Sequence, residues 1–394
     1  MSAAPAVTAG RAVSPAWDVA RDLAYRSGRP LPLETVPLGA ADGRTLGVDV
    51  VAGTPLPAFT ASAMDGWATS GDGPWLVVGR VLAGQSGPPV RPGTALAIAT
   101  GARLPAGATG VVRSEDGTVV DGVLTSGDDP AGRHIRPAGE EALEGEALLH
   151  AGTVLGPGHV GLAAAAGADA LTVVRRPTCT LLVLGDELLD AGPAREGRVR
   201  DSLGPQLPGW LRRLGVDVRR VTHVRDDRQA LVDSFLGACT DLVITTGGTA
   251  AGPVDHVHAA LDRTGAQLVV DSVAVRPGHP MLLAALPGHR HLVGLPGNPQ
   301  AAIAALLTLA EPVIARLLNR PAPRLGTITS EAAFLAPPHA TRMVLAHRGP
   351  HGAVAARHLG PGMLRGLATA EGFVIVPPGG SQPGAVLPWL PLPV

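Results

Sequence analysis

Lysine is missing from the chain altogether, and all 32 basic residues are arginine. A lysine Schiff base and a P-loop lysine on phosphate are therefore excluded. Asparagine occurs only as Asn298 and Asn319. Codon bias in a GC-rich genome is the simple explanation of both shortages. Aromatic side chains are few as well, with five Trp, four Phe and one Tyr in 394 residues, too few for a base-stacking platform. The net charge of −1 removes the electrostatic footprint of a nucleic-acid binder. Two cysteines, Cys179 and Cys239, form no CxxC pair, and the histidines include no HExxH. Neither a disulfide framework nor a zinc motif is expected. The N-terminus lacks a basic start followed by an apolar core, so no signal peptide is expected. Apolar runs such as Leu162–Ala168 and Ala301–Ala310 fall short of the ~20 residues that a membrane span needs. The expectation is a soluble, cytoplasmic protein with neither nucleic acid nor membrane as partner.

What is present points to a folded, multidomain chain. Hydrophobic residues make up 45% and charged residues 16%, a balance that favours packed cores over disorder. At roughly 150 residues per domain, two to three domains are expected.

Residues 1–176 read as an irregular, β-rich N-terminal region, with a β subdomain over about 70–140. A helix is expected at Pro15–Ser27, capped by Ser14. Short extended runs punctuated by Gly and Pro follow it. From residue 177 to 319 strands alternate with helices: Thr178–Leu184, Val216–Val221, Asp241–Thr246 and His291–Leu295 extended, Gln206–Gly215, Arg228–Cys239 and Gln300–Leu318 helical. That alternation predicts a doubly wound α/β domain with a mostly parallel sheet. Residues 320–394 read as a small C-terminal β domain. The fold class is thus α/β and multidomain.

In doubly wound sheets, ligands lie beyond the carboxyl ends of the strands. Three such ends carry candidate chemistry. Gly247-Gly248-Thr249 follows one strand, where backbone N–H groups can approach an anion, and Asp255 stands at that loop's far end. Gly185-Asp186-Glu187-Leu188 follows another, and adjacent acids there can hold Mg²⁺ or orient water. Asp201 and Ser202 head the next helical segment, where a plain N-cap is an equal reading. Gly294–Pro299 follows the third strand. Asn298 suits an N-cap and Pro299 the first turn, so function there rests on Pro296 and Gly297 forming a flat wall against a planar ligand. Farther upstream, Ser62–Gly66 (SAMDG) describes either a tight Asp-Gly turn or an exposed carboxylate, Asp65, with close ligand approach.

Taken together, SAMDGWA, TGARLP (Thr100–Pro105), GDEL, VITTGGTAAGPVDHV, VRPGHP and GLPGNP resemble one family in order and spacing. It is the molybdopterin molybdenumtransferases, bacterial molybdenum insertases related to the gephyrin E domain. The resemblance runs from about residue 15 to the end. It implies Mg²⁺-dependent use of adenylyl-molybdopterin and molybdate, with release of AMP as molybdate joins the dithiolene. It implies Asp65, Thr100, Glu187 and Asp255 as catalytic residues, with Glu187, Asp255 and Glu141 around the metal. It places Gly247, Gly248 and Thr249 against phosphate or pterin, together with Asp201, Ser202, Pro296, Gly297 and Pro299. Arg276, His279, Arg342 and Arg348 would supply positive charge for molybdate or phosphate. A homodimer with the site shared between subunits is also implied. The departures from the family pattern fall in the same loops. Leu184 stands for Thr, Leu203 for Asn, Ala250 for Ser, His279 for Lys and Gly366 for Ser. A non-catalytic paralogue that carries molybdopterin or molybdate, or regulates in response to either, is the alternative reading, and a phosphoanhydride hydrolase a third.

Overall fold

The computed structural model describes residues 11–249 and 256–393. Two compact units emerge: Thr35–Val173 is one, and the residues before Thr35 together with those from Val174 onward are the other. The sequence-based division placed residues 1–176 in one region. Instead, the helix Trp17–Ser27 packs on the long helix that ends at Leu317.

That second unit is built on a seven-stranded sheet. Its order is Ala12–Val13, Gln267–Asp271, Leu282–Leu286, Arg290–Leu295, Leu242–Thr246, Thr178–Leu184 and Asp217–Val224. The last four strands in that order are mutually parallel. Helices Leu203–Arg213, Arg228–Gly237 and His256–Arg263 connect successive strands, as the alternation predicts. Side-chain alternation explains the apolar runs. Leu181 and Val183 enter the core with Leu207, Leu211 and Ile303, while Leu182 and Leu184 enter the opposite core with Val257, Leu261 and Phe235. A strand covered on both faces reads as a near-continuous apolar run rather than an alternating one.

Several expectations change in detail. Leu282–Leu286 is an antiparallel strand between Gln267–Asp271 and Arg290–Leu295, and the sequence reading contained no strand there. Ser14 does not cap the first helix: Ala16 holds the N-cap position, and no side chain bonds there. Trp17 Nε1 instead donates to Thr308 Oγ1 at 2.9 Å, anchoring the helix from its first turn. The helix after Pro299 runs as α-helix to Ala305, π-helix over Leu306–Ala310 and α-helix again to Leu317. Its 19 residues have mean hydropathy 1.4, long and apolar enough to cross a membrane by composition, yet 89% of the span is buried inside the fold. It is the central core helix of this unit. Beyond it lies a β-sheet ordered Val275–Arg276, Thr341–Gly349, Gly372–Val376, Val386–Pro391 and Gly326–Thr329.

The unit Thr35–Val173 holds a six-stranded sheet of order Gly110–Arg113, Gly66–Thr69, Thr94–Ile98, Trp75–Val81, Val123–Ser126 and Gly117–Val120. Ala68, Val81, Ile98 and Val111 pack on one side, Trp75, Ala95, Val112 and Leu124 on the other. A second small core gathers Leu46, Leu155, Leu171 and Val173.

A candidate active-site cavity at the strand ends

At the carboxyl ends of Thr178–Leu184, Leu242–Thr246 and Arg290–Leu295 lies a cavity of about 810 Å³. Glu187, Asp201, Ser202, Gly247, Gly248, Gly297 and Pro299 line it, so seven of the residues expected from sequence converge. Asp226 lines it as well, and the sequence reading missed it.

Glycine makes the Glu187 position possible. Gly185 has φ +133°, and a β-carbon there would stand 2.6 Å from the Glu187 carboxylate. Among the described residues, Glu187 has no cationic partner. Asp226 accepts only a long bond, 3.4 Å, from the Asp186 N–H. Its neighbour Asp227 serves as the N-cap of Arg228–Gly237, accepting from Ala230 N at 2.8 Å. One acid caps and the other faces the cavity.

The turn after Leu242–Thr246 needs glycine for backbone reasons, because Gly247 has φ +83° and Gly248 φ +66°. The Gly247 N–H already donates to the Leu295 carbonyl at 2.8 Å, so it is not free for an anion. Leu184 packs against both glycines. Of the two readings of Asp201, the helix cap is the one its hydrogen bonds support. Its Oδ1 accepts from Leu203 N and Gly204 N, both at 2.9 Å, and its Oδ2 accepts from His223 Nε2 at 3.2 Å. It caps the helix Leu203–Arg213, while Ser202 occupies the N-cap position without a side-chain bond. Pro296 is buried and does not line the cavity. The wall there is Gly297, Asn298 and Pro299. The Asn298 side chain makes no capping bond, so capping does not account for it.

Thr249 and His279 line a different cavity, of about 710 Å³, with His258 and Asp271. His279 Nδ1 donates to the Val273 carbonyl at 2.6 Å. Arg276 and Arg342 are register partners on parallel strands, and neither lines the 810 Å³ cavity. Arg348 stands six residues farther along its strand, about 20 Å away at the usual rise. Its guanidinium lies 5.7 Å from the Trp389 ring, and it does not join the other two. Asp255 falls outside the described residues, as does Ala250.

In the unit Thr35–Val173, Thr100 N donates to Asp65 Oδ1 at 2.7 Å. That bond holds the Asp65 carboxyl below the usual carboxylate range. Paired bonds between Ser62 and the 101–102 backbone join the two loops. Glu141 is exposed and lies 3.6 Å from Arg136.

The donor set tests the fit of Mg²⁺. Among the described residues no three His, Cys, Asp or Glu side chains converge into a preformed metal site. Mg²⁺, however, usually takes one or two carboxylates, keeps several waters and completes its shell with substrate phosphate. Glu187 and Asp226, hard oxygen donors on one cavity without cationic partners, fit that requirement.

Comparison with known proteins agrees with the geometry. Residues 13–167 match the family model of the MoeA N-terminal region (domain I and II), and residues 180–316 that of a probable molybdopterin binding domain. A molybdopterin molybdenumtransferase of Synechococcus elongatus is 39% identical over 289 residues, 68% of this chain and 72% of that protein. Molybdopterin molybdenumtransferase 2 of Mycobacterium tuberculosis is 34% identical over 386 residues, 89% of this chain and 92% of that one. The crystal structure of a molybdopterin biosynthesis moea protein from Pyrococcus horikosii superposes with TM-score 0.79 at 23% identity, covering 96% of this chain and 99% of that one. That likeness establishes the shared fold. With the sequence matches spanning nearly the full length of the Mycobacterium protein, the chain belongs to the molybdopterin molybdenumtransferase family.

Proposed function

We propose that this protein inserts molybdate into adenylyl-molybdopterin in an Mg²⁺-dependent reaction that releases AMP. The observation that carries the reading is the pair of uncompensated carboxylates, Glu187 and Asp226, on the 810 Å³ cavity at the strand ends. Glu187 and Asp226 would hold the cation, which when bound neutralises phosphate charge and polarises the bond to be cleaved. The Gly247–Gly248 turn, with no β-carbons, would let the substrate approach the protein backbone closely. Arg276 and Arg342 would draw the oxyanion, since guanidinium groups match planar or tetrahedral oxygen arrays by paired N–H donors. Asp65, with its carboxylate ionised and oriented by Thr100, would act as a further polar group of the reaction. Glu141 and Asp255 remain expected contributors to the metal environment. The family resemblance further supports a homodimer with a site shared between subunits, working in the cytoplasm.

One observation favours the second reading, a carrier or regulator without turnover. Leu184 and Leu203 line the cavity where the family pattern has Thr and Asn, so two polar contacts are replaced by apolar wall. Incubation with adenylyl-molybdopterin, with and without molybdate, separates the readings. AMP together with active cofactor supports insertion, AMP alone supports hydrolysis, and tight binding with neither supports the carrier.

A further inference from the structure

We infer that His223 is a positioning residue for Glu187, acting through Asp201. His223 lies on the edge strand Asp217–Val224, opposite Val183 in the register of the parallel pair. It belongs to none of the motifs that suggested function from sequence.

The Asp201 carboxylate is 95% buried, and every hydrogen bond it makes is accounted for. Oδ1 takes the two N–H groups at the start of Leu203–Arg213. Oδ2 takes His223 Nε2. A carboxylate accepts only, so His223 must hold its proton on Nε2 at this contact. Gly204 is the independent sign that the arrangement is built. A β-carbon there would fall 2.2 Å from Asp201 Oδ2, so the chain has no side chain where this oxygen must sit to reach His223.

Asp201 in turn is tied to the Glu187 segment. Asp201 N donates to Leu189 O at 2.9 Å, and Val199 N donates to Glu187 O at 3.0 Å. Leu188 and Leu189 pair in parallel with Val199 and Arg200. Arg198 adds a bond from its guanidinium to Leu188 O at 2.8 Å. The crossover loop between these two parallel strands is exposed over residues 190–200 and contributes little core. A short exposed ladder of this kind opens locally unless an end is fixed. The fixed end is Asp201, held by a helix start and by His223. A catalytic carboxylate two bonds away gains its placement from that anchor.

The inference rests on the proposed role of Glu187, but its test does not need substrate. Hydrogen exchange of the peptide spanning residues 186–202 is measured by mass spectrometry in the full chain, with thermal melting alongside. His223→Ala should speed exchange of that peptide by roughly tenfold, the effect of losing one charge-assisted bond. His223→Gln, which restores an N–H donor, should recover most of the protection. Gly204→Ala should mimic His223→Ala by displacing the carboxylate oxygen. In AMP release, His223→Ala should raise the Mg²⁺ concentration for half-maximal rate by a similar factor, with the Gln variant again intermediate. Unchanged exchange in the Ala variant would overturn the inference. So would equal loss in Ala and Gln variants, or acceleration spread evenly over the whole α/β unit, since each marks a generic structural role. Absence of AMP release from the unmutated protein would defeat the proposed function alone and leave the exchange result to stand.

Discussion

Among the acids of the α/β unit, partnering separates structure from chemistry. Asp241 accepts from Arg175, from Thr178 N and from Thr178 Oγ1 at 2.7–3.0 Å. Burial pushes its carboxyl up, yet the hydrogen bonds and the guanidinium outweigh it and hold the group below its ordinary range. A carboxylate depressed in the folded state adds stability above its unfolded pKa, and that stability is lost as pH falls through the folded value. Asp241→Asn should therefore cost about 1–3 kcal/mol at pH 7, measured by denaturant unfolding. The difference from wild type should shrink below about pH 4. Asp128, exposed and paired only with Arg133, should tolerate Ala without change in melting or activity. His279 makes a second residue-level case. With Nδ1 donating to Val273 O, the neutral ring offers Nε2 only as an acceptor. A lysine ammonium there would offer an oxyanion a donor that Nε2 of this ring does not, so His279→Lys should bind molybdate more tightly than wild type. Equal affinities in a calorimetric titration would make His279 a bystander.

At the scale of elements, the departures from the family pattern acquire different meanings. Gly366 replaces a serine, and a β-carbon there would lie 2.6 Å from both the Arg357 and His358 carbonyls. The segment ahead of it is pinned by Gln300, whose amide donates to His358 O and Met363 O at 2.7 Å each. Gly366→Ser should lower stability by roughly 1–3 kcal/mol through overpacking, read as a lower melting temperature, rather than restore a lost ligand contact. Leu184 and Leu203 have no such backbone reason and bear directly on the cavity. The alternation of apolar runs with amphipathic segments made the doubly wound unit legible, because parallel strands covered on both faces are nearly continuous apolar runs. Leu282–Leu286 was not legible. Its five apolar residues carry no period that separates strand from helix, although the partner strand Arg290–Leu295 follows across the tight turn Pro287-Gly288-His289. Asp226 escaped for a related reason. Asp226-Asp227 before a helix reads as a cap, and only one of the two acids is needed for that. The surplus acid was the available signal.

For the whole molecule, the same sequence motifs lead to two separate compact units. Asp65 and Thr100 belong to Thr35–Val173, and Glu187 to the other unit. Local chemistry was readable in each: the Asp65–Thr100 bond and the Glu187 cavity both involve residues picked out by motif. Which residues share a cavity was less readable, since Thr249 and His279 lie on another one and Pro296 on neither of the two. Adjacency in sequence does not fix which side of a strand end a side chain meets. If the active molecule is a homodimer with a shared site, mixing inactive Asp65→Asn and Glu187→Gln proteins should restore part of the activity. A monomer in sedimentation at micromolar concentration, with no restoration on mixing, would contradict that.

If Glu187 and Asp226 hold the cation for phosphoanhydride cleavage, loss of either carboxylate must change the metal dependence of the reaction. AMP release from adenylyl-molybdopterin should be followed against Mg²⁺ concentration for the wild-type protein and for the Glu187→Ala and Asp226→Ala variants. Release in the wild type should depend on Mg²⁺, be abolished by Glu187→Ala and shift strongly to higher Mg²⁺ in Asp226→Ala, because a hard cation loses a carboxylate oxygen in each. Wild-type rates and an unchanged Mg²⁺ dependence in both folded variants would contradict that role.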